Sequence, residues 1–402
     1  MAELRLQDDF PERDYEDWKA LAEAGLRGKA FDTLVSRTES GLRRGPLFDD
    51  AMRPDPVALG GMAAPLLEGR AWHVCASVGD ADLGFANAQL LDDLLGGASA
   101  VRVGSVGVGR RADLKRLFEG VHLDLVPVVF APGSEAAAYA IGTEELYATP
   151  VTLGLDPLGE MPSCPEGWRA FTINAAAVHE AGGSDVLELA VFAGLLSEAM
   201  RRHGSAVVDH LAAEFATGTD AHLSAVKLRA ARRLTAGITQ TFSSHAHALP
   251  FHAVSSARMM QSEDAWTNLL RTQSAGLGAV WGGADYVTLR PFTEPLGKPT
   301  AFASRLARNQ QLLMMEESHL GVVGDPAHGS YFHERLTEDM AQAAWSRFQD
   351  IEAGGGITAF IGKGGLDAAL QADMEARDAE GAPILGVTLH PAEGVRVPEV
   401  RA

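Results

Sequence analysis

The sequence predicts an α/β protein, a closed (β/α)8 barrel with an N-terminal helical arm and a C-terminal helical extension. Two observations carry this expectation. From Trp72 onward, short apolar or β-branched runs alternate with segments of helical periodicity. Eight such runs can be counted, the strand number of a closed parallel barrel. An open doubly wound sheet is the competing architecture.

Residues 1–65 form the arm. They hold an acidic helix candidate, Pro11–Ala24, a second short segment and a Gly/Pro-rich stretch ending at Gly60-Gly61. Phe10, Tyr15, Trp18, Leu21, Leu26, Phe31 and Leu34 are spaced largely by three to five, an apolar series too short to bury a core alone. It must pack on its own barrel or on another. Residues 66–335 form the barrel. Its strands are expected at Trp72–Val78, Ala100–Val106, Leu125–Phe130, Val151–Leu155, Ala170–Ala176, around Ala213–Ala216, Leu249–Val254 and Tyr286–Leu289. Helices are expected at Ala88–Leu95, Asp185–Arg201, Ala221–Thr235, Ala265–Val280 and Ala301–Met315. Ser184-Asp185, Asp264 and Thr300 act as start signals. The sixth strand has the weakest pattern, and the fourth helix is short and interrupted by Pro157, Pro162 and Pro165. Residues 336–402 form the extension: a helix at Leu336–Asp350, a break at Gly354-Gly355-Gly356, a helix near Leu366–Ala376 and a polar tail.

The strands are rich in small residues, as in Cys75-Ala76-Ser77, Asn174-Ala175-Ala176-Ala177 and Ser255-Ser256. A barrel interior is ordinarily filled by branched aliphatics. Small residues pointing inward leave a channel unless bulky neighbours fill it, and both outcomes are open at this level.

With 34 Lys+Arg against 53 Asp+Glu, the formal charge is −19, and no basic run offsets it. Such a surface repels nucleic acid and anionic membranes. No apolar stretch approaches the ~20 residues of a membrane span, and the N-terminus lacks a signal-peptide core. Two cysteines, Cys75 and Cys164, make no disulfide framework and fit a reducing cytoplasm.

The phosphate-cradling glycine motifs are absent; Gly104-Ser-Val-Gly107-Val-Gly109 has the wrong spacing and reads as a loop. His245, His247 and His252 lack a nearby Cys or carboxylate, so no metal site is expected. Asp220-Ala-His222 begins like a cobalt-ligating Asp-x-His-x-x-Gly run, but the glycine position is Ala225. A helix start capped by Thr219 or Asp220 explains it better. Glu316-Glu317-Ser318-His319 combines acids with a histidine, yet neighbouring helical residues point about 100° apart. A helix end is the simpler account.

Taken together and in order, several runs resemble the methylmalonyl-CoA mutase family. They are Phe31-Asp-Thr-Leu-Val-Ser-Arg-Thr-Glu-Ser-Gly-Leu42, His179-Glu-Ala-Gly-Gly-Ser-Asp-Val-Leu-Glu-Leu-Ala190 and Lys227-Leu-Arg-Ala-Ala-Arg-Arg233. Leu269-Leu-Arg-Thr272, Gly282-Gly-Ala-Asp285, Arg305-Leu-Ala-Arg-Asn309, Glu316-Glu-Ser-His-Leu320 and Asp325-Pro-Ala-His-Gly-Ser-Tyr331 continue the series. Ala343-Ala-Trp345 and Phe348 to Glu352 end it.

The resemblance implies a TIM barrel through whose axis an acyl-CoA threads, followed by a flavodoxin-like domain carrying adenosylcobalamin. The sequence ends at Ala402, about where that domain would begin. The resemblance therefore implies that no cofactor is bound by this chain and that adenosylcobalamin sits on a partner subunit or a separate domain. Catalytic members read Trp-Thr-x-Arg-Gln-Tyr in the first strand; here the Arg position is Cys75 and the Tyr position is Ser77. In the Ser-Gly-Tyr-His-x-x-Glu-Ala-Gly pattern, the Tyr and His positions are Ala176 and Ala177. The Gln-Asn-Asp of the fourth strand becomes Gly154-Leu155-Asp156. Departures at these places resemble the small, non-catalytic subunit, so no catalytic residue is assigned. Any acyl-CoA pocket would be lined by His73, Cys75, Ser77, Asp156, Asn174, Ala177 and His179.

Three functions are compatible with this pattern. The first is a scaffold pairing with a large catalytic subunit, or with itself. The second is an active acyl-CoA mutase for another substrate, using His73 or His179, with its cobalamin domain on a separate chain. The third is an acyl-CoA-binding module without chemistry.

Overall fold

The fold is described from a computed structural model covering residues 13–52, 54, 72–104, 107–391 and 394–401. Phe10, Gly60-Gly61, Ser105 and Val106 from the sequence reading lie outside the described residues.

Eight parallel strands close into a barrel: β3 (His73–Val78), β4 (Ala100–Val103), β5 (Val128–Phe130), β6 (Val151–Leu155), β7 (Arg169–Asn174), β8 (Leu211–Thr217), β9 (Phe251–Ser255) and β10 (Tyr286–Thr288). Each pairs with its sequence neighbours, and β10 closes on β3 through Tyr286 opposite His73. The open-sheet alternative is thereby excluded. β8, the weakest pattern in the sequence, is a seven-residue strand buried throughout.

The helical shell comprises α2 (Leu83–Leu95), α3 (Arg111–Leu117), α4 (Ala176–Glu180), α5 (Asp185–His203), α6 (Ala221–Phe242), α7 (Asn268–Trp281) and α8 (Ala301–Leu312). Caps set their starts: Ser184 Oγ accepts from the Leu187 amide, Asp220 from Leu223 and Thr300 from Ala303. α2 begins five residues earlier than its periodicity suggested, because Asp82 caps it through the Gly84 and Phe85 amides. No helix stands between β6 and β7, where residues 156–168 with their three prolines run as turns.

Outside the barrel, α9 (Tyr331–Ala353) buries Leu336, Met340, Ala344 and Phe348. These join the same apolar core as α5 and α6. Gly355 and Gly356, both at positive φ, turn the chain into α10 (Gly356–Gly362) before α11 (Gly365–Glu380). In the arm, α1 (Tyr15–Gly25) has no buried residue, and its Leu21 is 68% exposed. The stem that follows is held to its own barrel. It contains the two-residue strands β1 (Ser36–Arg37) and β2 (Arg43–Arg44). Glu39 pairs with Arg258 and Arg377, Arg44 with Asp220, and the Phe48 ring meets Phe332 edge-on.

Candidate functional site

In a (β/α)8 barrel the carboxyl ends of the strands carry the chemistry, and strand alternation decides which side chains face the axis. Val74, Ala76 and Val78 of β3 pack outward into the apolar clusters. His73, Cys75 and Ser77 therefore face inward. His73 lies at the amino end, stacked on Tyr286 with ring centroids 4.8 Å apart. Cys75 is buried mid-strand, and burial pushes its thiol up to about 12, so it stays protonated and unreactive. Ser77 is exposed near the carboxyl mouth.

The other candidate positions lie after β6, at the end of β7 and on α4, with Asn174 level with Glu214 and Ser77 level with Arg102 in the strand register. Asp156, exposed after β6, accepts the Leu158 amide and closes a turn. Asn174 ends β7, its Oδ1 accepting the Ala177 amide at 3.2 Å to start α4. Ala177 is exposed and offers no donor beyond its backbone. Gly154 has φ +69°, and a Cβ there would lie 2.4 Å from the Phe130 carbonyl oxygen. The strand accommodates a glycine at this position and resists any side chain.

His179 sits on α4 in a buried polar cluster. Its Nε2 lies 2.9 Å from Ser256 Oγ, and its Nδ1 lies 3.9 Å from both Asp185 and Glu188. Burial, then Lys227, Arg258 and Arg377, hold its pKa well below the usual range, so the imidazole is neutral. Among the described residues, His179, Asp185 and Glu188 are the one grouping spaced to hold a metal ion. The cation there is Lys227, whose Nζ lies 2.8 Å from Asp185 and 2.6 Å from Glu188. The arrangement is a buried ion-pair cluster.

What occupies the barrel axis is a pair that the sequence reading passed over. Arg102 on β4 and Glu214 on β8 come from diametrically opposed strands, four places apart in the ring of eight. Arg102 Nη2 lies 2.9 and 3.0 Å from the two Glu214 carboxylate oxygens, and its Nε lies 3.1 Å from one of them. Burial raises the Glu214 pKa, but the Arg102 guanidinium, with Arg290 further off, outweighs it and keeps the carboxylate ionised below its ordinary range. His252, next to Glu214 in the ladder, is buried and lowered to about 3 by desolvation, and its Nε2 bonds Thr288 Oγ1 at 2.8 Å. The signal was present in the sequence: a lone charge within each apolar run, Ala-Val-Arg102-Val and Ala-Ala-Glu214-Phe.

The remaining sequence candidates separate in space or serve structure. His252 lies inside the barrel while His245 is on an exposed turn. Glu316 to His319 form the exposed end of a π-turn after α8. Asp220 caps α6, and the His222 ring nitrogen is bonded to His333 at 2.9 Å. These residues do not fit a cobalt-ligating loop, since Ala225 is buried within the helix.

The motifs in which the resemblance resides also meet in the structure. Lys227 joins Asp185 and Glu188, Arg229 joins Asp325 and Glu334, and Arg232 joins Asp285. The sequence model of methylmalonyl-CoA mutase matches residues 161–387, which contain all of these pairs. The chain belongs to the methylmalonyl-CoA mutase family. The methylmalonyl-CoA mutase small subunit of Streptomyces virginiae is 36% identical over 90% of this chain and 67% of its own length. The probable methylmalonyl-CoA mutase small subunit of Mycobacterium tuberculosis H37Rv is 35% identical over 67% of this chain and 51% of its own. The methylmalonyl-CoA mutase small subunit of Propionibacterium freudenreichii is 29% identical over 88% and 64%. The chain thus spans about half to two thirds of these relatives, and within the family it is small-subunit-like. No helix among the described residues is long and apolar enough to cross a membrane.

Proposed function

We propose that this chain is a non-catalytic scaffold that pairs with a catalytic, adenosylcobalamin-binding mutase subunit interconverting methylmalonyl-CoA and succinyl-CoA. The observation that carries this reading is the chemistry left at the mutase donor positions. Radical rearrangement needs the substrate carboxylate and thioester held by aimed donors in a closed site. Cys75 is a protonated thiol, Ser77 lies at the open mouth, Ala176 and Ala177 have no polar side chain, and Gly154 has no room for one.

The division into an arm at 1–65, a barrel at 66–335 and an extension at 336–402 belongs to the same proposal. The unburied α1 is the segment offered to the partner barrel, and a cytoplasmic setting fits two thiols without a disulfide. The test is turnover of methylmalonyl-CoA with adenosylcobalamin. The chain alone, and the chain supplied with a separate cobalamin-domain protein, are expected to be inactive. Activity in either would sink the scaffold and favour a mutase using His73 or His179. Co-purification with a larger mutase subunit from the native source is the positive outcome.

A further inference from the structure

We infer that the Arg102–Glu214 pair is a bar across the barrel axis, and that it excludes an acyl-CoA thread from this chain. The inference rests on the scaffold reading and goes one step further. Missing donors explain why no reaction occurs, whereas the bar explains why no thioester enters.

The geometry supports it at three levels. The two side chains start on opposite walls and meet in a bidentate contact, so together they span the barrel. Glu214 is 6% exposed and Arg102 15%, so the bridge is enclosed rather than solvated. The layer beside it is also filled: Val129 and Val254 are buried, His252 is tied to Thr288, and His73 stacks on Tyr286. A bidentate, desolvated Arg–carboxylate pair opens only at the cost of exposing two unpaired buried charges.

The experiment uses the full chain and propionyl-CoA as the probe, read by titration calorimetry. Wild type is expected to show no binding. Arg102→Ala/Glu214→Ala, which removes the bar, is expected to bind saturably. Arg102→Met/Glu214→Leu, which refills the axis with apolar bulk, is expected to show none. Binding by wild type, or by the Met/Leu variant, overturns the inference. So does absence of binding by the Ala/Ala variant when its circular dichroism and thermal transition show it folded.

A second measurement leaves both residues of the bar in place. In a Cys164→Ser background, Cys75 beside the bar should resist a small methanethiosulfonate reagent in the native state and react after unfolding. Equal rates in the two states mean an open axis and overturn the inference. The two proposals fail separately: binding without turnover removes the bar and leaves the scaffold, whereas turnover removes the scaffold.

Discussion

Two buried histidines make the residue scale measurable. Desolvation lowers His252 to about 3. Desolvation, with help from His222 and Arg229 and against Asp325 and Glu334, lowers His333 to about 4. A histidine whose folded pKa is depressed takes up its proton in the unfolded chain first, near ~6.5. The stability it contributes is therefore complete above about pH 6.5 and declines as pH falls toward the folded value. His333→Asn should flatten the stability profile between pH 6.5 and 4 relative to wild type, measured by urea unfolding at several pH values. Parallel profiles for the two proteins would show that His333 is not held neutral. At this scale the sequence was a poor guide to chemistry. Cys75, Asn174, Ala177 and His179 were found as positions, but their exposure and partners depend on strands and helices far away in the chain.

At the scale of elements, helix starts were legible because capping is local: Ser184, Asp220 and Thr300 bond amides three residues on. The arm was not legible, because its apolar series is compatible with either barrel. The structure divides it. The stem from Ser36 to Phe48 is tied to its own barrel by Glu39, Arg44 and Phe48. Among the described residues, α1 keeps Leu21 exposed and its ring contacts are local, Trp18 meeting Tyr15 and, edge-on at 6.0 Å, Phe31. Aromatic side chains of this size are common interface anchors. Deleting residues 1–30 is therefore expected to leave the thermal transition of the barrel unchanged and to lower the assembly state seen by light scattering. Unchanged assembly with a lower transition temperature would assign α1 to its own barrel.

At the scale of the whole molecule, charges on one helix tie distant elements to each other. Lys227, Arg229 and Arg232 of α6 each reach a different part of the shell: the start of α5, the Asp325 loop with α9, and the loop before β10. Arg229 is fully buried, and its carboxylate partners are Asp325 in the loop before α9 and Glu334 in the first turn of α9, the helix that runs on into the extension. Breaking one side of a buried ion pair costs about 3–5 kcal/mol. Arg229→Leu should lower global stability by roughly that amount, and barrel and extension should still unfold in one transition, since α9 shares the barrel core. Separate transitions in calorimetry would show that the extension is an independent unit.

The sequence by itself determined the strand count, the helix starts set by local caps and the family. Each of these is written in neighbouring residues or in a fixed order of motifs. Only the tertiary structure decided what the barrel contains. The small residues around β3 and β7 left both a channel and a packed interior open, because a channel is a property of opposed strands. Arg102 and Glu214 stand 112 positions apart and meet only when eight strands close into a ring. No periodicity or spacing along the chain encodes which charge lies across the axis from which.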